Sequence, residues 1–175
     1  MTSPRLDHLW AGWRHDYIAR VSEPTDTSLE PDGTGSLFER VLRLADEEGL
    51  VVHRGATCSV ILNAYPYCSG HLLVLPNRAV AELEDLTVDE RHEMADLTND
   101  AVLALRAAYR CEGINVGTNL GAAAGAGVPS HLHTHVLPRW SGDTNFMTSV
   151  ALTRVLPEPL DVTWHRVRDA WPSRG

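Results

Sequence analysis

Lysine is absent from this chain of 175 residues, and all 15 basic side chains are arginines. The absence excludes a Walker-type phosphate-binding lysine, a Schiff-base lysine and a lysine general base. The net charge of −8 at pH 7 argues against a broad basic surface for nucleic acid or for an anionic membrane. A small anionic substrate is compatible with this charge, because local donors can bind an anion whatever the overall balance.

Cysteine is scarce and long apolar runs are missing. Cys58, Cys68 and Cys111 are too few and too scattered for a disulfide framework, so we expect a reducing, cytoplasmic location. No apolar run approaches the roughly 18 residues of a membrane span. Charged residues interrupt the first 22 positions, so we expect no secretory signal either.

The order of predicted elements indicates an α+β domain built on an antiparallel sheet. Apolar spacing predicts two helices, over 37–48 and 88–110, and Thr87 and Glu90 form a capping box at the start of the second. Turn residues separate five short apolar strands, which we place at 50–53, 58–63, 71–75, 114–119 and 131–137. A single long helix between groups of strands is typical of an α+β fold and not of a doubly wound one.

The most informative stretch is residues 131–139, HLHTHVLPR. Side chains two positions apart share one face of a strand, so His131, His133 and His135 are expected to project to one side. Three such imidazoles can bind zinc, or they can supply a nucleophile beside groups that polarise a phosphate. The small residues of 121–127, GAAAGAG, would let backbone N–H groups approach an anion closely. This loop favours the nucleophile over the metal site.

Further motifs make the chain resemble the histidine triad family, whose members carry His-x-His-x-His with apolar residues between and after the histidines. Residues 62–76, LNAYPYCSGHLLVLP, look like the family's first half-site. Residues 83–90, LEDLTVDE, look like the entry to its long helix, and 115–127, NVGTNLGAAAGAG, like its phosphate loop. Hallmarks of the bacterial diadenosine tetraphosphate phosphorylase branch are LWAGWRHDYI at 9–18, PRW at 138–140, GDTNFM at 142–147 and TRVLPE at 153–158.

The resemblance implies an architecture and an assembly. It implies an N-terminal arm and loop over residues 1–35, followed over 36–175 by one catalytic domain of the family's type. That domain would contain a five-stranded antiparallel sheet with one long and one short helix. Members commonly pair through the long helix and the strand before the glycine loop, so we expect a homodimer or a higher symmetric oligomer.

The resemblance also implies roles for the histidines. His133 would attack the α-phosphorus and form a covalent nucleotidyl–imidazole intermediate, a step that needs no lysine. His131 and His135 would hold the phosphate oxygens and the leaving group. His71 would sit beside the triad, either as a catalytic or as a supporting imidazole.

Nucleotide-binding roles fall on a second group of residues. Asn63 would bind the ribose hydroxyls, while Asn119 and the backbone at Gly125 and Gly127 would contact phosphate. Trp140 would stack on a base or contact another subunit, although packing within the core explains a tryptophan there equally well.

These roles predict a nucleotidyl hydrolase or transferase that cleaves at the α-phosphate of a dinucleoside polyphosphate such as diadenosine tetraphosphate, without a cofactor. Whether water or inorganic phosphate is the acceptor is left open by the sequence. One alternative is a specialised nucleotidyltransferase or phosphoramidase in a biosynthetic pathway. A second is a non-catalytic nucleotide-binding protein, which an intact set of three histidines argues against.

One corner of the sequence departs from the family pattern. The related branch often carries a Cys-x-x-Cys pair before the first helix, and two histidines, including the first of the triad, complete a structural zinc site. Aligned on residues 37–38, these positions hold Ser36, Glu39, Ala79 and His131. Serine and alanine offer neither a thiolate nor an imidazole, so the four ligands of a tetrahedral site are lacking. We therefore expect no zinc or other metal.

Overall fold

Five antiparallel strands and three α-helices form the part of the chain that the computed structural model describes, residues 35–143 and 158–173. The motif at 9–18, residues 144–147 of the motif at 142–147, residues 153–157 of the motif at 153–158 and most of the predicted arm lie outside these residues. The strands run in the order β1-β2-β3-β5-β4, and every neighbouring pair is antiparallel. Their bounds are Val51–Arg54 (β1), Cys58–Leu62 (β2), Leu72–Pro76 (β3), Gly113–Thr118 (β4) and Thr134–Arg139 (β5). The predicted α+β class and five-stranded sheet are confirmed.

The helices span Leu37–Leu42 (α1), Val88–Tyr109 (α2) and Leu160–Asp169 (α3). α2 begins at the predicted Thr87 and Glu90 capping box. α1 ends earlier than predicted, because the Arg54 guanidinium on β1 donates to the carbonyls of Leu42 and Leu44. α3 was not predicted from the sequence. None of the helices in this part of the chain is long and apolar enough to cross a bilayer.

Helices cover both faces of the sheet, but they cover them unequally. α2 and α3 pack on one face through a large cluster that includes Leu97, Leu105 and Trp164. The short α1 packs on the opposite face, where Phe38 and Val41 join a smaller cluster. β2 and β3 are consequently buried along their whole length, which explains their continuous apolar sequences. Because α1 is only six residues long, this second face is left partly open beside it.

The histidine stretch lies only partly on a strand. β5 begins at Thr134, three positions later than predicted, so the first two histidines precede it. The preceding segment bonds the end of β3 and the chain after it: His131 Nε2 donates to Pro76 O at 2.8 Å, and Leu132 N donates to Val80 O at 2.6 Å. These contacts hold residues 131–133 out of the regular ladder.

Candidate active site

A cavity of about 330 Å³ opens between α1 and the face of the sheet that α1 partly covers. Its lining is mostly apolar and also includes His133, His135, Gly125 and Gly127. The main apolar lining residues are Leu37, Phe38, Val41, Ile61, Leu73 and Val128. The lining contains no charged side chain, so an anion here would depend on neutral hydrogen-bond donors.

His133 presents one unprotonated ring nitrogen to this cavity. Its Nδ1 lies 2.8 Å from the carbonyl oxygen of His131, and a carbonyl only accepts, so Nδ1 carries the hydrogen. Nε2 then carries the lone pair, and no acceptor or donor in residues 35–143 or 158–173 engages it. Burial lowers the pKa of His133 below the usual 6.5, which keeps the ring neutral. A neutral imidazole with a free nitrogen is a nucleophile.

His135 carries the opposite tautomer, which a second histidine sets. The backbone N–H of Tyr67 donates to His71 Nδ1 at 3.1 Å, so the hydrogen of a neutral His71 is on Nε2. That nitrogen lies 2.8 Å from His135 Nδ1 and donates to it, which leaves the His135 hydrogen on Nε2. Burial, together with the neighbouring His133, lowers the pKa of His135 to about 4. His135 is therefore a neutral hydrogen-bond donor beside the nucleophile, with ring centroids 5.0 Å apart.

His131 is placed differently from the expectation of three histidines on one face. Its side chain is fully buried and does not line the cavity. Nε2 donates to Pro76 O, and Nδ1 lies 2.6 Å from Ser36 Oγ, so both ring nitrogens are engaged within the protein. Burial lowers the pKa of His131, so the ring is neutral and its Nδ1 accepts a hydrogen bond from the Ser36 hydroxyl.

Comparison with known proteins agrees with this geometry. The HIT domain family matches residues 45–142. This chain belongs to the histidine triad family. It is 41% identical over 169 residues to a protein from Mycobacterium tuberculosis named AP-4-A phosphorylase, covering 95% of this chain and 85% of the relative. It is 32% identical over 93 residues to the asymmetrical bis(5'-nucleosyl)-tetraphosphatase of Schizosaccharomyces pombe, covering 53% and 50%.

Solved structures of the same family share the fold. A hypothetical histidine triad nucleotide-binding protein from Sulfolobus tokodaii superposes with a TM-score of 0.62 at 26% identity, covering 76% of this chain and 89% of that one. A zinc-bound histidine triad protein from Mycobacterium smegmatis superposes with a TM-score of 0.58 at 26% identity, covering 69% and 82%. The resemblance seen in the motifs is thereby confirmed.

The glycine loop of this histidine triad protein offers backbone donors to the cavity. Within the described ranges, the N–H groups of Gly127 and Val128 donate to no acceptor. The N–H groups earlier in the loop donate to the carbonyls of Gly121 and Ala122. Asn119 does not line the cavity, and its Nδ2 donates to Gly125 O at 3.4 Å. The predicted phosphate contact of this loop stays a prediction.

Asn63 and Trp140 lie in different surroundings. Asn63 lines the cavity, where its Oδ1 accepts from Tyr65 N at 2.9 Å and its Nδ2 lies 3.3 Å from His71 Nδ1. Trp140 follows β5, outside the cavity, with its ring edge-on to Tyr109 at 6.1 Å. The structure therefore places Asn63, but not Trp140, beside the histidines.

Two aromatic side chains that the motif analysis did not single out contact the histidines. The Phe38 ring on α1 meets the rings of His131 and His133 edge-on, with centroids 5.3 and 5.1 Å away. The Tyr67 ring lies 4.7 Å from that of His71. Tyr67 falls inside the half-site motif at 62–76, which was a usable signal, whereas nothing local in the sequence connects Phe38 to residues almost a hundred positions later.

The four positions of the expected zinc corner do meet in space, although they do not form a metal site. Glu39 accepts hydrogen bonds from the backbone N–H groups of Ser36 and Ala79 at 2.7 and 3.0 Å. Ser36 in turn bonds His131, and Ala79 offers no side-chain ligand. No group of three His, Cys, Asp or Glu side chains in the described ranges is arranged to hold a metal ion. These residues do not fit a tetrahedral zinc.

Proposed function

We propose that this histidine triad protein cleaves dinucleoside polyphosphates, with diadenosine tetraphosphate as the first candidate, through a nucleotide bound covalently to His133. The observation that carries the proposal is the pair of opposite tautomers, a bare Nε2 on His133 beside an Nε2–H on His135. The relatives named AP-4-A phosphorylase and bis(5'-nucleosyl)-tetraphosphatase support the substrate class.

In the first step, His133 Nε2 attacks the α-phosphorus while the bond from phosphorus to the bridging oxygen breaks. The electron pair of that bond leaves with the polyphosphate oxygen, which the Nε2–H of His135 meets as donor. His71 donates to the other nitrogen of His135 along a 2.8 Å hydrogen bond, which keeps the His135 hydrogen on Nε2, and the polyphosphate leaves as an anion that accepts from it. The carbonyl of His131 stabilises the positive charge that develops on the His133 ring.

In the second step, an acceptor attacks the same phosphorus and the bond to His133 breaks, which restores the neutral imidazole. Water as acceptor would release a nucleoside monophosphate and a proton to solvent, and inorganic phosphate would release a nucleoside diphosphate. The name of the Mycobacterium tuberculosis relative favours phosphate.

The cavity suits a nucleoside monophosphate group. The apolar lining residues, Ile61 and Val41 among them, would enclose the base, and Asn63, which also lines the cavity, would bind the ribose. The N–H groups of Gly127 and Val128 would bind the phosphate oxygens. Neutral donors suffice, because hydrogen bonds to an anion are stronger than those between neutral groups.

A substrate panel tests the proposed reaction. Dinucleoside polyphosphates, nucleoside phosphoramidates and nucleotide sugars are incubated with the protein, with and without phosphate, and the products are separated by chromatography. We expect cleavage of the dinucleoside polyphosphates, and release of a nucleoside diphosphate only when phosphate is present. Faster turnover of the phosphoramidates would instead support the phosphoramidase alternative.

Substitution of the proposed nucleophile separates catalysis from binding. We expect His133→Ala to reduce turnover by at least about 10³-fold while nucleotide binding is kept, because only the covalent step is lost. The exposed His92→Ala is the matched control and retains full activity. Mass spectrometry of quenched wild-type reactions should detect a nucleoside monophosphate adduct on His133. Full activity of His133→Ala would refute the mechanism. A wild-type protein that binds no nucleotide would refute the proposed function as a whole.

The same proposal includes an assembly and a location. β4 lies at the edge of the described sheet with Val116 about half exposed, so a second copy could continue the sheet there. We place the protein in the cytoplasm, because three scattered cysteines are too few for the disulfide framework of an oxidising compartment.

A further inference from the structure

We infer that Ser36, the residue that caps α1, is a positioning residue for the nucleophile and acts through His131. The inference deepens the proposed function and rests on it. Ser36 is buried, and its hydroxyl makes two hydrogen bonds: it accepts from Glu39 N–H at 3.2 Å and donates to His131 Nδ1 at 2.6 Å. One oxygen therefore joins the start of a helix to a histidine of the triad.

The His131 ring is held at both nitrogens, and each contact comes from a distant part of the chain. Ser36 lies 95 positions before it, and Pro76, whose carbonyl accepts from Nε2, lies 55 positions before it. A carbonyl can only accept, so the second ring nitrogen needs a donor, and the serine hydroxyl is the donor supplied. Without the hydroxyl, Nδ1 would be a buried acceptor with no partner, and the ring would be free to shift.

A shift of this ring would reach the nucleophile through the backbone. The carbonyl of His131 accepts from His133 Nδ1, and this single bond is what leaves His133 Nε2 unprotonated. Phe38, two positions after Ser36, touches both histidine rings edge-on, so the start of α1 and the two imidazoles form one packed unit. A displacement of the carbonyl would weaken the tautomer preference of His133 and misalign its attack, to which rates are sensitive.

Helix capping and histidine positioning can be separated, because the chain contains a second helix with the same cap. Thr87 and Glu90 form a capping box on α2 with the same pattern of hydrogen bonds, and Thr87 has no contact with the triad in the described residues. Thr87→Ala therefore removes an equivalent cap without touching His131. Ser36→Gly keeps most of the capping tendency, because glycine is tolerated at this position, but it lacks the hydroxyl.

The kinetic test compares Ser36→Ala, Ser36→Gly and Ser36→Thr with Thr87→Ala on diadenosine tetraphosphate. We expect kcat to fall about tenfold in the alanine and glycine variants, with KM within about threefold of wild type, because the cavity lining is kept. Ser36→Thr retains the hydroxyl and should restore kcat to within about threefold. Thr87→Ala should lose thermal stability and keep kcat. Wild-type kcat in both Ser36→Ala and Ser36→Gly, or an equal loss in Thr87→Ala, would overturn the inference.

A spectroscopic test does not depend on turnover. Nitrogen-15 spectra of the histidine rings should show a single Nδ1–H tautomer for His133 in the wild type and a mixture of tautomers in Ser36→Ala, together with a changed Nδ1 resonance for His131. Unchanged histidine resonances in Ser36→Ala and Ser36→Gly would refute the positioning role. If the wild type turns over none of the nucleotide substrates while these shifts occur, the proposed function fails and the positioning of His133 by Ser36 stands.

Discussion

His133 and His135 have opposite tautomers because their ring nitrogens have different hydrogen-bond partners. His133 donates from Nδ1 to a carbonyl, whereas His135 accepts at Nδ1 from His71. An unprotonated Nε2 and an Nε2–H donor are thus set side by side without any charged residue in the cavity lining. The lack of lysine in this protein is therefore compatible with phosphate chemistry, since neutral imidazoles and amides supply the required groups.

The pH dependence of activity follows from this neutral state. Burial lowers the pKa of His133 below 6.5, so the reactive form persists as the pH falls through 6.5 and is lost only when the folded protein takes up the proton. We expect the acid limb of kcat/KM to have its midpoint below pH 6.5, in initial-rate measurements at constant ionic strength. A midpoint above pH 6.5 would contradict the assignment.

The lowered pKa of His135 predicts how the stability of the protein changes with pH. The pKa of His135 is lowered from 6.5 to about 4, so between these values the unfolded chain binds a proton that the folded protein does not. Stability is therefore highest above pH 6.5 and decreases as the pH falls toward 4. The His135→Asn variant lacks this group, and its melting temperature should vary less than that of the wild type over the same range.

His71 is expected to act on the rate through His135. Replacing it by alanine removes the donor to His135 Nδ1, so the hydrogen of His135 is no longer held on the nitrogen that faces the cavity. We expect kcat of His71→Ala to fall by about 10- to 100-fold with a smaller change in KM. Initial rates over a range of substrate concentrations separate the two constants. An unchanged kcat would show that His71 has a purely structural role, and the exposed His92→Ala again serves as the control.

Among the secondary-structure elements, the turn before β3 positions His71. Gly70 has φ +79°, and a Cβ there would lie 2.8 Å from Tyr109 Cε2 and 3.0 Å from Leu105 Cδ2. Both the backbone conformation and the contact with α2 therefore require glycine. Through this contact with Gly70, α2 on one face of the sheet positions His71, which lies toward the opposite face.

Substitution of Gly70 tests whether this position requires glycine. We expect Gly70→Ala to lower the free energy of unfolding by about 2 kcal/mol, because both strain and overpacking are introduced. Urea denaturation measures the change. Gly117→Ala is the matched control: a Cβ at Gly117 meets nothing within 4 Å, and its backbone is not in the left-handed region. A comparable loss in both variants would refute the explanation.

The start of α1 takes the place of a metal site by means of hydrogen bonds and apolar packing. Phe38 and Val41 are buried against the sheet, and Glu39 bonds the chain after β3. Burial by itself raises the pKa of Glu39, but the hydrogen bonds from Ser36 and Ala79 outweigh it and lower the pKa overall. The carboxylate therefore stays charged. We expect elemental analysis of protein purified without chelators to find well under one zinc per chain. A stoichiometric zinc that only strong chelation removes would contradict this prediction.

The molecule as a whole has two different sheet edges. α3 closes the β1 edge, where Trp164 Nε1 donates to Val51 O at 2.9 Å. At the opposite edge, β4 has no neighbouring strand beyond it in the described ranges, and its Val116 is 51% exposed. An open strand edge with an apolar side chain is a surface that a second copy can cover.

A charge substitution at this edge tests the proposed dimer. We expect wild-type protein to have a dimeric mass or higher in light scattering at micromolar concentration, and Val116→Glu to be a monomer, because a buried unpaired carboxylate opposes association. Val162→Glu replaces a valine that is 43% exposed on α3, near the other edge, and should stay dimeric. A monomeric wild type would refute the assembly.

Local sequence patterns were sufficient to predict most of the elements. α2 was predicted to within a residue, because the capping box at Thr87 and the apolar periodicity that follows are both encoded locally. The strands were predicted to within one or two residues except β5, whose start at Thr134 depends on how residues 131–133 bond the chain after β3. The end of α1 likewise depends on a remote arginine, Arg54.

The identity of the histidine cluster was evident in the sequence, but the chemistry of each ring was decided by tertiary structure. Which nitrogen carries the proton depends on a partner that is distant in sequence for His131 and His135, namely Pro76 and His71. The same is true of exposure: His131 is buried behind α1, whereas His135 lines the cavity. Side-chain alternation along a strand is a local property, whereas hydrogen bonding and burial depend on which distant segments the fold brings together.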